Sequence, residues 1–134
     1  MREIKFRAWD KVTKQLVEID SIGWVNDALY IEVSLPDPRG NEQTYRVSRA
    51  TTNCEIMQYT GLKDKNGKEI YEGDIRVGKY YFQEEAKRGV EVMTWHEKEG
   101  YWYWKNVSPS YIPDFIEVEV IGNIYENPEL VQSK

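Results

Sequence analysis

Few residues in this sequence could perform acid–base, nucleophilic or zinc chemistry. The 134-residue chain has one histidine, His96, and one cysteine, Cys54. His96 lies in a polar, glutamate-rich stretch without a nucleophile or an orienting partner, so we expect an exposed turn histidine. Cys54 begins an apolar segment, where a free thiol is usually a small buried hydrophobic group. We predict no catalytic residue at either position, and two such residues are too few for a Cys/His zinc site.

Carboxylates offer a better opportunity for chemistry. Glu69, Glu72 and Asp74 fall within six residues and carry the oxygen ligands that hard cations prefer. The same segment is also typical of a turn whose carboxylates accept backbone N–H groups. No phosphate-binding glycine loop or nucleophile elbow accompanies it. We therefore expect a turn, no bound metal, no cofactor and no enzyme activity, and keep a metal-dependent enzyme as the weakest of three hypotheses.

The most unusual feature is a run of four aromatic residues, Tyr101-Trp102-Tyr103-Trp104, with Trp95 preceding it. In a strand, successive side chains point to opposite faces, so the two tyrosines and the two tryptophans separate. Exposed aromatic stripes on small β-proteins grip peptide segments or stack nucleic-acid bases. The alternative is a strand buried on both faces or in a subunit contact. We predict that these five residues form a partner-binding surface.

The elements that would position these residues follow a period of two, which is typical of strands. Residues 4–9 alternate in polarity and, with 16–19, predict a β-hairpin around a polar turn. The remaining predicted strands of the first half are 29–33, 43–47 and 55–59. A Pro/Gly-rich loop at 35–41 separates the first and second of these three.

The second half continues the β pattern. Asn66-Gly67 predicts a tight hairpin turn with positive φ at both residues, and Gly73 predicts a bend before the next strand. Charged residues 83–89 predict a loop with a single helical turn. Further strands are predicted at 75–82, 90–95, 100–104 and 115–121, with a short helical turn at 128–131.

These elements predict a mostly β protein, either a barrel or a sandwich. A chain of this length buries a sufficient core without disulfides. The least β-like stretch near the middle is 60–67, so we place two parts at 1–60 and 61–134. The first part is an N-terminal β subdomain, and the second is a small C-terminal barrel.

Charge and hydropathy narrow the class of partners. The chain carries 18 Lys and Arg against 23 Asp and Glu, a net charge of −5. Neither half has an excess of basic residues, which disfavours strong non-specific nucleic-acid binding. No apolar run reaches the ~18 residues of a membrane span, and the N-terminus is not that of a signal peptide. We therefore expect a cytoplasmic protein without membrane association.

Three segments resemble the YopX family. They are MREIKFRAWDK at 1–11, MQYTGLKDKNGKEIYEGDI at 57–75 and VIGNIYENPEL at 120–130. The resemblance implies an all-β protein whose C-terminal part is similar to an SH3-like barrel, found in phages and prophages mainly of Gram-positive bacteria. It implies no established activity, cofactor or catalytic residue. The aromatic run lies between these segments, where family members vary.

The leading hypothesis is a non-enzymatic phage accessory protein that binds a host or phage protein, or itself. Edge strands and surplus aromatic residues favour a homo-oligomer. The alternative is a small β-barrel that binds nucleic acid, by fold-level analogy alone. Its surface would combine Trp95, Trp102 and Trp104 with Lys87, Arg88 and Lys105.

Overall fold

The alternating pattern folds into strands over most of the chain. The computed structural model describes residues 3–40, 42–108 and 116–132. Within these ranges there is no α-helix, and the only helical pieces are 3₁₀ turns at Thr51–Asn53 and Pro128–Val131. The strands are β1 (Phe6–Asp10), β2 (Gln15–Val25), β3 (Ala28–Pro36), β4 (Thr44–Ala50), β5 (Cys54–Lys63), β6 (Glu69–Tyr71), β7 (Asp74–Phe82), β8 (Glu85–His96), β9 (Tyr101–Ser108) and β10 (Ile116–Asn123). The mostly β class is confirmed.

One compact unit consists of Ile4–Gln58. Its strands lie in the order β4-β3-β2-β1-β5, and every neighbouring pair is antiparallel. The predicted β1–β2 hairpin is confirmed, with Ala8 opposite Val17. The alternation buries one face of the sheet, because only that face carries a continuous set of apolar side chains. Its buried core contains Ala8, Val17, Ile31, Val33, Leu35 and Cys54.

The second compact unit consists of Met1–Glu3 and Tyr59–Lys134. Its main sheet is antiparallel, in the order β10-β7-β8-β9. The end of β5 pairs with β6 as a separate hairpin, with Tyr59 opposite Tyr71. A small core of Ile70, Met93 and Val120 has Trp102 and Trp104 packed against it. In the described residues β9 and β10 do not pair with each other, so this sheet is open and no closed barrel is found.

The predicted loop at 83–89 is wrong. β7 and β8 form a long hairpin in which Phe82 lies opposite Glu85. The connection is Gln83-Glu84, and both residues have positive φ, 51° and 66°. Two-residue hairpin turns of this kind match the twist of the flanking strands, although Asn and Gly are their usual residues. The local composition favours a loop, but pairing with β7 supplies backbone hydrogen bonds that local propensity does not include.

The turn at Asn66-Gly67 exists, but its predicted geometry is wrong. Gly67 has a φ of 79°, whereas Asn66 is not in the positive-φ region. Asp64 organises the turn instead, because its Oδ1 accepts hydrogen bonds from the backbone N–H groups of Asn66 (2.9 Å) and Lys68 (2.8 Å). A carboxylate that bonds its own following backbone stabilises a turn without a left-handed asparagine.

Two smaller predictions are confirmed, the bend at Gly73 and the helical turn at Pro128–Val131, and the last strand also contains a bulge. Gly73 has a φ of 86° where the chain bends into β7. The register of β10 against β7 shifts between Val120 and Gly122, as a bulge there requires. Pro128–Val131 forms the short helical turn predicted near the end of the chain. Glycine and proline therefore predict a turn correctly where the turn depends only on the backbone angles of that residue.

Candidate functional site

The β8–β9 hairpin positions the aromatic residues. Its register places Trp102 opposite Trp95 and Tyr101 opposite His96. Directly opposed residues share a face of the sheet, so the tryptophans lie on one face and the tyrosines on the other. This separation follows the predicted alternation, and it gives the two halves of the run different surroundings.

The tryptophan face joins the core of the unit. Trp102 and Trp104 are partly buried and pack against the cluster that contains Met93. Trp95 lies beside Trp102, with ring centroids 4.9 Å apart and ring planes at 63°, and remains 39% exposed. Edge-to-face pairs of this kind add stabilisation beyond the area that they bury. One ring of this face is therefore accessible, while two have a structural role.

The tyrosine face forms a stack around His96. The His96 ring lies 4.8 Å from Tyr101, with an interplanar angle of 23°, and 5.5 Å from Tyr103. The Nδ1 atom of His96 accepts a hydrogen bond from the backbone N–H of Glu99 at 3.0 Å. His96 is thus partly buried in β8 and anchors the β8–β9 turn, rather than being an exposed turn residue as predicted. Tyr101 is half exposed, which leaves its ring available to a partner.

A charged pair lies among these aromatic groups, and the sequence did not reveal it. The Nη2 atom of Arg76 donates to Oε1 of Glu91 at 2.6 Å, and its Nε donates to the same oxygen at 3.0 Å. The guanidinium carbon lies 4.3 Å from the centroid of the Trp104 ring. Cation–π contact and a charge-assisted hydrogen bond therefore hold one guanidinium. The β7–β8 hairpin, which the sequence did not predict, places Arg76 opposite Glu91.

A cavity of about 300 Å³ opens beside this pair. Apolar surface comes from Ile70, Val120 and Trp104, and charges of both signs surround it, including Lys65 and Glu119. Pockets that recognise small molecules combine an apolar lining with a few convergent polar groups. Here the arginine already has Glu91 as its partner, and the surrounding charges oppose one another. The cavity thus has no clear preference for one class of ligand.

The carboxylate cluster forms a turn. Asp74 is 2% exposed, and its Oδ2 accepts a hydrogen bond from the backbone N–H of Tyr71 at 2.8 Å. Among the described residues, no group of three or more His, Cys, Asp or Glu side chains is placed to hold a metal ion. The turn also donates a backbone hydrogen bond, from the N–H of Gly73 to the carbonyl of Met93 at 2.9 Å. Asp74 therefore connects β6 to β7 as a structural residue.

Cys54 is a buried thiol in the N-terminal unit. It is 3% exposed, and its Sγ lies 3.5 Å from the carbonyl oxygen of Ala50. Burial raises the pKa of the Cys54 thiol, and the nearby charges of Asp10 and Glu55 raise it further. A raised pKa reduces the thiolate fraction near neutral pH, and the thiolate is the nucleophilic form. Cys54 therefore has the environment of a core residue.

The basic residues of the predicted nucleic-acid surface do not join the tryptophans. Lys87 lies eight residues from Trp95 along β8, about 27 Å at the usual rise of a strand. Lys105 lies opposite Val92, on the tyrosine face of β9. Arg88 belongs to the face opposite to Lys87, because neighbouring side chains alternate. The six residues thus form no continuous patch.

Comparison with solved structures finds the same fold in two bacterial proteins. Protein EF1440 from Enterococcus faecalis is 28% identical, with a TM-score of 0.64 over 98% of this chain and 100% of its own. Protein yopX from Bacillus subtilis is 20% identical, with a TM-score of 0.55 over 100% of this chain and 99% of its own. Comparison with curated proteins finds no match.

No helix in the described ranges is long and apolar enough to cross a membrane.

The family model described as YopX protein matches residues 5–132. That span includes all ten strands of the described residues and most of each compact unit. The chain therefore belongs to the YopX family.

Proposed function

We propose that this protein is a non-enzymatic binding module of a phage or prophage. Its binding residues, called the aromatic surface, are Trp95, Tyr101, Trp102, Tyr103 and Trp104, in which the exposed rings of Trp95 and Tyr101 would contact the partner and the other three rings support them. The observation that carries the proposal is the exposure of aromatic rings on both faces of one hairpin. Its partner is a protein of the phage or of the host bacterium, or a second copy of the chain.

The geometry of the aromatic surface supports binding. Tyr101 is 50% exposed and Trp95 is 39% exposed, yet each ring already contacts a neighbouring ring. Rings held in place before association lose little side-chain entropy when they bind. Tyrosine and tryptophan are also the residue types that dominate the energetics of protein interfaces. The aromatic surface therefore has the residue types and the pre-positioned side chains that are typical of the centre of a protein–protein interface.

Three potential catalytic groups have structural roles, which supports the non-enzymatic part of the proposal. His96 uses Nδ1 to anchor its turn, Cys54 is buried, and Asp74 accepts a hydrogen bond from a backbone N–H group.

We also propose that residues 61–134 are related to SH3-like barrels. The bulged strand β10 supports this relation, because bulges provide the bends from which such barrels are built.

A second candidate function is binding of single-stranded nucleic acid. Lys105 lies two residues from Tyr103 on the same face of β9, so a base stacked on Tyr101 or Tyr103 would have one cation nearby. Such binding weakens steeply with salt. Fluorescence anisotropy with a labelled poly-thymidine strand tests it, since absence of binding even at low salt would exclude this function.

Affinity capture from lysates of phage-bearing cells tests the leading proposal. The bait is the tagged full chain, with and without nuclease, and the double variant Trp95→Ala/Tyr101→Ala is compared with Trp24→Ala. Trp24 is 70% exposed and lies in the other unit, so it is a matched control for loss of an exposed ring. Far-ultraviolet circular dichroism and thermal unfolding establish that each bait is folded.

We expect the wild type and Trp24→Ala to retain one protein in both nuclease arms, and the double variant to lose it. Equal capture by all three baits would refute the aromatic surface as the binding site. Capture that disappears with nuclease would instead support the nucleic-acid function.

A further inference from the structure

His96 is the only histidine in the sequence, and the hydrogen bond that its side chain accepts depends on its protonation state. Its Nδ1 atom accepts the backbone N–H of Glu99 at 3.0 Å. A neutral imidazole has one nitrogen that accepts and one that donates, whereas both nitrogens of the charged imidazolium donate. The neutral ring therefore carries its proton on Nε2, and protonation of Nδ1 would set two N–H groups against each other.

Two hydrogen bonds to His96 close the β8–β9 turn, and only one of them is sensitive to protons. The backbone N–H of Gly100 donates to the carbonyl oxygen of His96 at 2.7 Å. Gly100 has a φ of 74°, which glycine adopts without strain. This backbone contact is available in either protonation state of the ring. Protonation therefore removes the contact of Glu99 and leaves the hairpin itself closed.

The same imidazole contacts the more exposed of the two accessible rings of the aromatic surface. Tyr101 lies directly opposite His96 and stacks on it, with ring centroids 4.8 Å apart and an interplanar angle of 23°. Tyr101 also follows the turn directly in the chain. An imidazolium that rotates away from the N–H of Glu99 changes the plane on which Tyr101 stacks. A proton at His96 therefore alters the position of a ring that would contact the partner.

The charged and titratable groups around His96 differ little between the closed turn and the released turn. The groups that adjoin or face its ring are, in the turn, Glu97, Lys98 and Glu99 and, on β9, Tyr101 and Tyr103. The next cation on β9 is Lys105, opposite Val92, four residues from His96 along β8. The turn residues are exposed and adjoin His96 in sequence in both states, so their screened charges favour neither. The hydrogen bond to Nδ1 distinguishes the two states, and a proton shifts an equilibrium only through such a difference.

We propose that protonation of His96 releases the β8–β9 turn and the Tyr101 ring, so that the aromatic surface binds its partner when the imidazole is neutral and loses order when it is charged. Histidine is the side chain that ordinarily changes charge between about pH 5 and 8. The inference adds regulation to the proposed binding function, and its consequence for binding rests on that function. The change in the turn itself is measurable without a partner.

NMR spectroscopy of the untagged full chain tests the turn directly, because its single histidine gives one set of imidazole signals. Long-range proton–nitrogen correlation spectra at about pH 8 and pH 5 identify the ring nitrogen that carries the proton. Hydrogen exchange, corrected for the intrinsic effect of pH, reports the protection of the Glu99 N–H, with the Gly100 N–H as the internal control.

We expect the Nε2–H tautomer at the higher pH. At the lower pH the protection of Glu99 should fall roughly fivefold, the contribution of one hydrogen bond, while Gly100 retains its protection. The chemical shifts of the Tyr101 ring protons should change with the same midpoint as the imidazole signals, because the two rings stack.

Two substitutions separate the acceptor from the ring. His96→Asn places an amide oxygen near the position of Nδ1 and does not titrate in this range, so Glu99 should stay protected at both pH values. His96→Phe keeps a ring for Tyr101 but has no acceptor, so Glu99 should be unprotected at both. The Tyr101 signals should show the pH-dependent change of the wild type in neither variant.

Three results would overturn the inference. They are a neutral His96 with its proton on Nδ1, equal protection of Glu99 at both pH values in the wild type, and a wild-type pH response in His96→Phe. Each would leave the proposed function intact, since binding through the aromatic surface does not require control by pH.

Affinity capture from lysate at the same two pH values separates the inference from the proposed function. Capture at the higher pH that is lost at the lower one in the wild type, but retained at both in His96→Asn, would support the two together. A turn that responds to pH in a chain that captures nothing at either pH would refute the proposed function alone.

Discussion

Arg76 stacks on Trp104 while it donates two hydrogen bonds to one oxygen of Glu91. The stacking distance is 4.3 Å, and the shorter hydrogen bond is 2.6 Å. The side chain of Glu91 is 9% exposed and that of Arg76 is 23% exposed, so solvent screens the pair only weakly. This contact connects strands β7, β8 and β9 through one guanidinium.

Removal of Glu91 alone should destabilise the C-terminal unit. In Glu91→Leu, Arg76 keeps its charge in a poorly hydrated site, and we expect a loss of about 3 kcal/mol in the free energy of unfolding. The double variant Arg76→Met/Glu91→Leu should recover most of this loss, because no buried charge remains. Urea titration measures both, with Glu85→Gln in the exposed Lys87–Glu85 pair as the control. A double variant as unstable as the single one would contradict this explanation.

The two kinds of tryptophan should respond differently to truncation. Trp104→Ala removes a ring that packs against the core cluster and stacks on Arg76. It should lower the free energy of unfolding by about 3 kcal/mol. Trp95→Ala removes a ring that is 39% exposed, and should cost about 1 kcal/mol. Chemical denaturation of both variants measures the two losses in the free energy of unfolding. Similar large losses would show that Trp95 is also a core residue and would weaken the aromatic surface as a binding site.

Asp10 should make the N-terminal unit less stable at acidic pH than at neutral pH. Burial raises the pKa of Asp10, but hydrogen bonds from Arg49 (2.8 Å), from Thr13 (2.6 Å) and from the Val12 N–H outweigh it and lower that pKa overall. A lowered pKa contributes stability that is present above the unfolded-state value of about 3.9 and is lost as the pH falls through the folded value.

Asp10→Asn is the direct test of this dependence. It should cost about 2 kcal/mol at neutral pH, because the asparagine cannot reproduce the charged hydrogen bonds to Arg49. The difference from wild type should shrink as the pH falls below about 4, where the carboxyl of the unfolded wild type takes up a proton, and should be smallest below the lowered folded pKa, where the folded carboxyl is protonated as well. Unfolding curves at a series of pH values measure it. A difference that is constant from neutral pH to strong acid would contradict the assigned role of the charge.

Gly122 should not tolerate alanine. An added Cβ would lie 2.7 Å from Cγ of Asn127 and closer still to its Oδ1, the atom that accepts the N–H of Asn123. We expect Gly122→Ala to cost about 2 kcal/mol through this overlap. Thermal unfolding in an Asn127→Gly background checks the mechanism, because the added methyl group should cost much less there. An equal loss of stability in both backgrounds would show that alanine strains the backbone of the bulge rather than overlapping with Asn127.

Local signals in the sequence identified most of the individual strands. The β1–β2 hairpin was predictable because alternation and a polar turn occur within a short stretch. Gly73 and Pro128 were predictable because each restricts its own backbone. The β7–β8 hairpin was missed because its charged residues are extended through pairing with another strand, and Asn66 did not adopt the geometry typical of its residue type.

The candidate site was predictable in part. Alternation alone separated Tyr101 and Tyr103 from Trp102 and Trp104, since the side-chain period of a strand is two. It could not indicate which face meets the core or which ring remains exposed. Nor could it reveal the contact of Arg76 with Glu91, which depends on a register that extends through the missed hairpin.

Local periodicity, motifs and single-residue constraints are sufficient to predict the β class, the family and several turns, among them those at Gly73 and Pro128. The roles of the aromatic and charged residues depend instead on the tertiary structure. Burial, stacking and ion pairing are set by non-local strand pairing, which joins residues far apart in the chain. The difference between Trp104 in the core and Trp95 at the surface therefore arises from position in the sheet and not from residue type.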